Sequence, residues 1–102
     1  MSIEVNIVFG YQITGSLSVT DEIDRYAADN PHMHVVSIPD NQDSTFIGHL
    51  MLEQAVPEDS YDFERLDPVA IETPETFYLP YSLARVTTNR LPKMFVFWNA
   101  PY

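Results

Sequence analysis

The 102-residue sequence predicts an α+β fold: a mixed or mainly antiparallel sheet of four to six strands with one main helix packed on one face. Short segments in which apolar and polar residues alternate are typical of half-buried strands, and several occur. A single segment combines a helix-starting signal with apolar residues at helical spacing. At this length we expect one acidic α+β domain spanning residues 1–102.

The N-terminal segment predicts a strand over residues 3–9, because its apolar residues recur at every second position. Gly10 and Tyr11 interrupt this pattern, and a weaker alternation follows over residues 12–19. That stretch is interpreted either as a second strand, which would form a hairpin with the first, or as the loop that leads into a helix.

Residues 20–29 are predicted to form the helix. Thr20, followed by Asp21 and Glu22, can accept hydrogen bonds from the free backbone amides at a helix start. The two acids also complement the positive end of the helix dipole. An apolar stripe then repeats at helical spacing, and Asn30-Pro31 predicts the end, with Asn30 in a left-handed cap. The stripe consists of Ile23, Tyr26 and Ala27.

Further strands are predicted over residues 33–38, 46–54 and 94–98. The first and last carry apolar residues on both faces, which favours central positions in the sheet or, for 94–98, a covering partner such as a second copy. A β-grasp-like arrangement and a βαβ start are alternatives. The side chains expected to be largely buried are Ile3, Val5, Ile7, Ile23, Val35, Leu50, Phe95 and Phe97.

Composition favours a reducing, cytoplasmic location. The chain has no cysteine, whereas small secreted domains usually depend on disulfides. The N-terminus lacks the basic and apolar regions of a signal peptide. The longest apolar run, residues 94–98, is far shorter than the ~20 residues that span a bilayer.

The net charge of −10 is distributed unevenly along the chain. Residues 1–52 carry −6, residues 53–75 carry −7, and residues 76–102 contain three bases and no acid. Such a charge would repel phosphate backbones and anionic lipid surfaces, so direct nucleic-acid or membrane binding is not expected.

The acidic segment 53–75 is the leading candidate for a functional surface. Carboxylates spaced along a folded surface can imitate phosphates and bind a basic groove, and exposed aromatics among them can act as anchors. The alternative is a solvated segment that only keeps the protein soluble. The predicted partner-binding residues are Glu53, Glu58, Asp59, Tyr61, Asp62, Phe63, Glu64, Asp67, Glu72 and Glu75.

Three histidines offer a weaker alternative. His32 and His34 would share one face of a strand, and His49 could lie on the neighbouring strand. Three imidazoles on one face, with Asp43 or Glu53 nearby, could hold a zinc ion. However, no His-Glu-x-x-His spacing occurs, so no metal and no cofactor are expected.

Signatures of enzymes are otherwise missing from the sequence. Gly10 and Gly15 are spaced as in a phosphate-binding loop, but Ser16 stands where that loop needs lysine. No Gly-x-Ser-x-Gly motif occurs. A non-enzymatic protein is therefore expected.

The leading hypothesis is a non-catalytic binding protein whose acidic surface docks on a basic surface of another protein. Its sharpest form is a nucleic-acid-mimic inhibitor of the phage anti-restriction or anti-CRISPR type, hence a viral protein. One alternative is a small metal-dependent enzyme or ligand-binding protein that uses a histidine-bearing sheet face. Another is a subunit or adaptor that packs through its aromatic C-terminal strand.

Overall fold

The computed structural model describes residues 2–38, 41–57 and 70–99. Along these residues the chain forms four strands, a 3₁₀ turn and two helices. The elements, in order, are β1 (Ser2–Thr14), a 3₁₀ turn (Ser16–Val19), α1 (Thr20–Asp29), β2 (His34–Ile38), β3 (Asn41–Pro57), α2 (Tyr81–Ala84) and β4 (Lys93–Asn99).

The strands form one antiparallel sheet in the order β2-β3-β1-β4, which confirms the predicted α+β class. Each predicted strand is present, and helix α1 has the predicted bounds. β1 and β2 are each antiparallel to β3, which lies between them, so they run parallel to each other and β1–α1–β2 forms a split βαβ connection. No two hydrogen-bonded neighbours among the described strands are parallel, so the mainly antiparallel form of the prediction holds.

Strand β1 continues past the glycine that was expected to interrupt it. Gly10 pairs with Gly48 inside the ladder, and the strand ends only at Thr14. Gly15 then adopts a positive φ of 68°, which reverses the chain into the 3₁₀ turn before α1. Residues 12–19 therefore form neither a separate hairpin strand nor a simple loop.

The ends of α1 are built differently from the prediction. The Thr20 hydroxyl donates hydrogen bonds to the carbonyls of Ser16 and Leu17, both at 3.2 Å, instead of capping a free amide. Asn30 has a φ of −131°, outside the left-handed region. Its backbone N–H and its side-chain Nδ2 both donate to the Tyr26 carbonyl, at 2.9 and 3.0 Å.

The sheet has two faces with different coverings. On the helix face, residues from β1 and β3 pack against α1 and the segment 77–83 to form the main core. This cluster consists of Tyr11, Ile13, Val19, Ile23, Ile47, Leu79 and Leu83. The other face, here called the concave face, carries an aromatic cluster in which Phe46 contacts Phe95 and Phe97, each at 4.8 Å between ring centroids.

The sheet curls strongly around the concave face. Phe46 is opposite Gln12, and Phe97 is opposite Asn6, so the two phenylalanines are offset by six positions of β1 and lie two strands apart. In a flat sheet their Cα atoms would be about 22 Å apart. Rings that lie 4.8 Å apart therefore require the sheet to fold towards itself.

A glycine pair allows the central strands to approach closely. A Cβ atom on Gly10 would lie 1.9 Å from the carbonyl oxygen of Ile47, and one on Gly48 would lie 2.1 Å from that of Phe9. Neither position has room for a side chain, because the obstructing atoms are backbone. Both glycines occupy concave-face positions, opposite each other in the ladder.

Both strands that were predicted to be central are edge strands. β2 and β4 lie at opposite ends of the sheet, whereas β1 and β3 occupy its centre. Val35 on β2, which was expected to be buried, is 37% exposed. The apolar residues on one face of β4 pack inside the curled sheet, and those on its other face remain exposed.

Of the other side chains expected to be largely buried, Ile23 is buried. The remaining described ones are only half-buried, so full burial was the wrong expectation for them: Val5, Ile7, Leu50, Phe95 and Phe97. The side chain of Ile3 lies outside the described set. A register shift between β1 and β3, at Ile7/Val8, also places Leu50 and Leu52 on opposite faces, although regular alternation predicts a shared face.

Candidate functional site

The acidic segment is only partly described. Glu53 lies near the end of β3, and Glu72 and Glu75 lie in the irregular segment 70–80; all three side chains are exposed. The other predicted partner-binding residues lie outside the described residues: Glu58, Asp59, Tyr61, Asp62, Phe63, Glu64 and Asp67.

The described carboxylates are not neutralised by nearby bases. Among the described residues, no carboxylate oxygen lies within 4.0 Å of a lysine, arginine or histidine nitrogen. The bases of the C-terminal part, Arg85, Arg90 and Lys93, are exposed as well. The acids and bases of the described chain therefore do not form close pairs that would cancel the local field.

Aromatic packing positions the segment that carries Glu72 and Glu75. Phe77 makes edge-to-face contacts with Tyr11 and His49, at 5.3 and 5.0 Å between ring centroids. The Tyr11 hydroxyl donates a hydrogen bond to the Phe77 carbonyl. Leu79, two residues later, enters the core. These contacts fix the segment on the helix face and leave the alternate residue, Tyr78, directed to solvent.

Two exposed tyrosines close to the acids were missed by sequence reasoning. Tyr78 is 72% exposed and Tyr81, the first residue of α2, is 83% exposed. An in-out-in alternation over residues 77–79, between two prolines, was the signal that could have identified Tyr78. Exposed tyrosines supply the kind of anchor that charge alone does not provide.

Helix α1 presents a second acidic surface that was also missed. Its inner side is anchored by Ile23, whereas Asp21, Asp24 and Asp29 are exposed. Glu22, Arg25 and Asp29 border a shallow depression of about 200 Å³ that is completed by Tyr26, Pro80 and Ser82. The helical spacing of the apolar stripe already implies that these acids face outward.

A buried asparagine holds the turn that leads into β4. The Asn89 side chain accepts a hydrogen bond from the backbone N–H of Gln12 at 3.0 Å. Its Nδ2 donates to the carbonyls of Gly10 and Leu91, at 3.0 and 2.7 Å. All of these partners are backbone groups, so Asn89 fixes the position of the chain and is unsuited to bind a ligand.

The three histidines do not converge. His34 is opposite Gly48 in the β2–β3 ladder and therefore occupies the opposite face from the adjacent His49. His32 lies in the turn before β2, with its ring 5.9 Å from that of His49. Within residues 2–38, 41–57 and 70–99, no group of three His, Asp or Glu side chains is arranged to hold a metal ion. The three-histidine face required by the metal alternative is thus not formed.

Burial perturbs two tyrosines of the helix face. Desolvation raises the pKa of the Tyr11 hydroxyl above its ordinary value, and the nearby hydroxyls of Tyr78 and Tyr26 add to the effect. Desolvation likewise raises the pKa of Tyr26. Both groups are held in the neutral form, which suits a hydrogen-bond donor and does not suit a catalytic base.

Comparisons with known proteins give no relative for this chain. No family model, no curated protein sequence and no solved structure matches it. Among the described residues, no helix is long and apolar enough to cross a membrane.

Proposed function

We propose that this protein is a non-catalytic binding domain whose acidic surface docks on a basic surface of another protein. The observation that supports the proposal is the exposure of Glu72 and Glu75 without a basic side chain within 4.0 Å. Glu53 is exposed and unpaired as well, but it is opposite Asn6 and therefore lies on the concave face, away from the segment that carries Glu72 and Glu75. Carboxylates that are already paired would gain little from a basic partner. Unpaired ones attract it over distance and form charge-assisted hydrogen bonds on contact.

The surface would combine charge with aromatic anchors. Tyr78 and Tyr81 follow Glu75 closely in the chain, and both side chains are available to a partner. Steering by charge raises the association rate, whereas burial of tyrosine slows dissociation. The sharpest form of the proposal is a nucleic-acid mimic that acts as an inhibitor in the cytoplasm, because a phosphate-binding groove presents the complementary charge.

The experiment starts from the immobilised protein and a cell extract at low salt. A basic protein should be retained. Salt at ~0.5 M should release it by screening the charges, and duplex DNA should release it by competing for the same basic groove. The retained protein is identified, purified and titrated against the wild-type chain. If duplex DNA displaces none of the retained proteins, the nucleic-acid-mimic proposal is contradicted.

A pair of charge reversals with a matched control locates the surface. Glu72→Lys with Glu75→Lys should weaken binding by at least about tenfold, because two attractive contacts become repulsive. The control, Asp21→Lys with Asp24→Lys, changes the net charge equally at exposed positions of α1 that do not border the depression shared with Pro80 and Ser82. If both pairs weaken binding equally, only the overall charge matters; if neither does, the acidic segment is not the docking surface.

The histidine-based enzyme gains no support, because His34 and His49 lie on opposite faces. The adaptor alternative does have an observation in its favour, namely the exposed apolar edge of β4.

A further inference from the structure

Strand β4 has an open outer edge. It pairs with β1 along its whole length, from Gly10↔Lys93 to Glu4↔Asn99, and it is the last strand of the sheet. None of the described strands pairs with its other side. Within residues 2–38, 41–57 and 70–99, the backbone N–H and C=O groups of alternate residues on that side therefore have no strand partner, and a further strand can pair with them.

The two edges of the sheet differ in how they resist such pairing. β2 has five residues, and its ladder contains a register shift between Ser37 and Ile38, which disrupts a regular edge. β4 has seven residues in continuous register. Between Met94 and Trp98 it contains no charged residue, proline or glycine. Apart from Lys93 at its start, β4 thus lacks the features that usually protect an edge strand.

The side chains of β4 are also suited to burial. On the helix face, beyond the area covered by α1, Met94, Val96 and Trp98 are 38%, 49% and 72% exposed. On the concave face, Phe95 and Phe97 are half-buried against Phe46. An edge strand with exposed apolar side chains and a free ladder marks an interaction surface.

We propose that β4 pairs with β4 of a second copy of this chain, antiparallel about a two-fold axis that places Val96 opposite itself. In this register Met94 is opposite Trp98 of the second copy, and Phe95 is opposite Phe97 of the second copy. Every apolar side chain then meets an apolar one, and Lys93 faces Asn99 rather than another lysine. The two four-stranded sheets become one sheet of eight strands.

Charge opposes a second copy less at this edge than along the acidic segment 53–75. Two chains that each carry −10 repel one another, but residues 76–102 contain no acid. Contact through β4 therefore brings together the part of each chain that contributes least to the repulsion. This inference is independent of the acidic docking surface, which involves other residues.

The expected dimer is weak. The interface consists of two seven-residue strands with one tryptophan from each chain, and each tryptophan buries about 150–250 Å². The total buried area is therefore below about 1,200 Å², at the low end of specific interfaces. We therefore expect a concentration-dependent dimer with a dissociation constant of about 1–100 µM. Added salt should strengthen it, because salt screens the repulsion between the acidic chains.

Trp98 is the sole tryptophan of the chain and reports directly on the interface. Sedimentation velocity and tryptophan fluorescence are measured from about 1 µM to 1 mM, a range that brackets the expected dissociation constant. Mass should double and the emission should shift to the blue over the same concentrations, while the amides of β4 gain protection from hydrogen exchange. A monomer throughout, or a dimer in which β4 amides gain no protection, would overturn the proposal.

Substitution at the two-fold axis provides the second test. Val96→Lys places two like charges opposite each other and should weaken the dimer by at least about tenfold, whereas Val96→Thr keeps the branched shape and should retain it. The matched control is Val35→Lys, a similarly exposed valine on the other edge strand, which should dimerise as the wild type does. If Val96→Lys leaves the dimer intact, or Val35→Lys disrupts it equally, association uses another surface. If Val96→Lys does not fold, hydrogen exchange of the β4 amides in the wild-type chain tests the proposal instead.

Discussion

At the residue scale, a small number of side chains carry the tertiary contacts between distant parts of the chain. Tyr11 joins β1 to the segment that carries Glu72 and Glu75, through its hydrogen bond to the Phe77 carbonyl. Asn89 joins the turn before β4 to the backbone of β1. Neither residue belongs to a motif, and each is recognised only from the groups that surround it.

Replacement of Tyr11 by phenylalanine tests the first of these contacts. Tyr11→Phe removes the donor to the Phe77 carbonyl and keeps the ring packing, so the free energy of unfolding should fall by about 1 kcal/mol. Denaturant titration at pH 7 provides the measurement. An unchanged midpoint would show that this hydrogen bond contributes nothing net to stability.

The same residue sets part of the response to alkaline pH. The pKa of Tyr11 is raised on folding, so the unfolded chain loses this proton at lower pH than the folded chain does. The stabilisation that the protonated Tyr11 hydroxyl contributes is therefore fully present below about pH 10. It decreases as the pH rises towards the pKa of Tyr11 in the folded chain. In Tyr11→Phe the alkaline loss of stability should be shallower than in wild type.

At the element scale, the central ribbon of β1 and β3 determines the shape of the sheet. The glycine pair lets the two backbones come close, and the curl brings Phe46 onto Phe95 and Phe97. Without this curl, the apolar residues on the concave face of β4 would have no partner.

Alanine at either glycine should therefore be costly. Gly48→Ala places a Cβ 2.1 Å from the carbonyl oxygen of Phe9, a backbone atom that cannot rotate away. We expect a loss of about 2–3 kcal/mol in the free energy of unfolding, measured by denaturant titration. Gly15→Asn is the control, because asparagine tolerates the positive φ found there and a Cβ on Gly15 would lie at an ordinary contact distance of 3.7 Å from the Ser18 hydroxyl oxygen. A loss of stability at Gly48 no larger than at Gly15 would contradict this account of the curl.

The sequence predicts the bounds of the elements well, but it does not predict which elements lie next to each other. Helix α1 and strand β4 show why. The bounds of α1 follow from local signals: the polar start, the apolar stripe and Asn30-Pro31. β4 was recognised as a strand from its own residues, but its position at an edge depends on which strand pairs with it. Apolar residues on both faces fit a central strand, an interface strand and a strand in a curled sheet equally well.

The candidate site was predictable to a lesser extent. The exposure of Glu53, Glu72 and Glu75 follows from their charge, which disfavours burial. The absence of close bases around them does not follow from the sequence, because it depends on where Arg85, Arg90 and Lys93 are placed by the fold. The outward direction of Tyr78 was decided by the burial of its neighbours Phe77 and Leu79.

At the scale of the whole molecule, net charge opposes folding as well as self-association. A charge of −10 on 102 residues creates repulsion that ion pairs do not relieve within the described part of the chain. Salt should therefore stabilise the fold by screening this repulsion.

Charge reversal of four acids tests this effect. Each reversal changes the net charge by two, so Glu58→Lys, Asp59→Lys, Asp62→Lys and Glu64→Lys together change it from −10 to −2. The wild-type Tm should rise between about 0.02 and 0.5 M NaCl, and the variant should show a smaller rise. Thermal scans at matched protein concentration, below that at which dimers form, provide the measurement. A wild-type Tm that falls with salt would indicate stabilising ion pairs instead.

The sequence alone determined that this chain forms an α+β fold with these strands, this helix and an acidic character, because each of these properties depends on local periodicity, local end signals or composition. The tertiary structure decided the order of the strands, the curl permitted by Gly10 and Gly48, the separation of His34 from His49 and the exposure of the β4 edge. The physical reason is that these features arise from contacts between residues far apart in the chain. A strand's own residues specify its faces, and only its neighbours specify whether those faces and edges are covered.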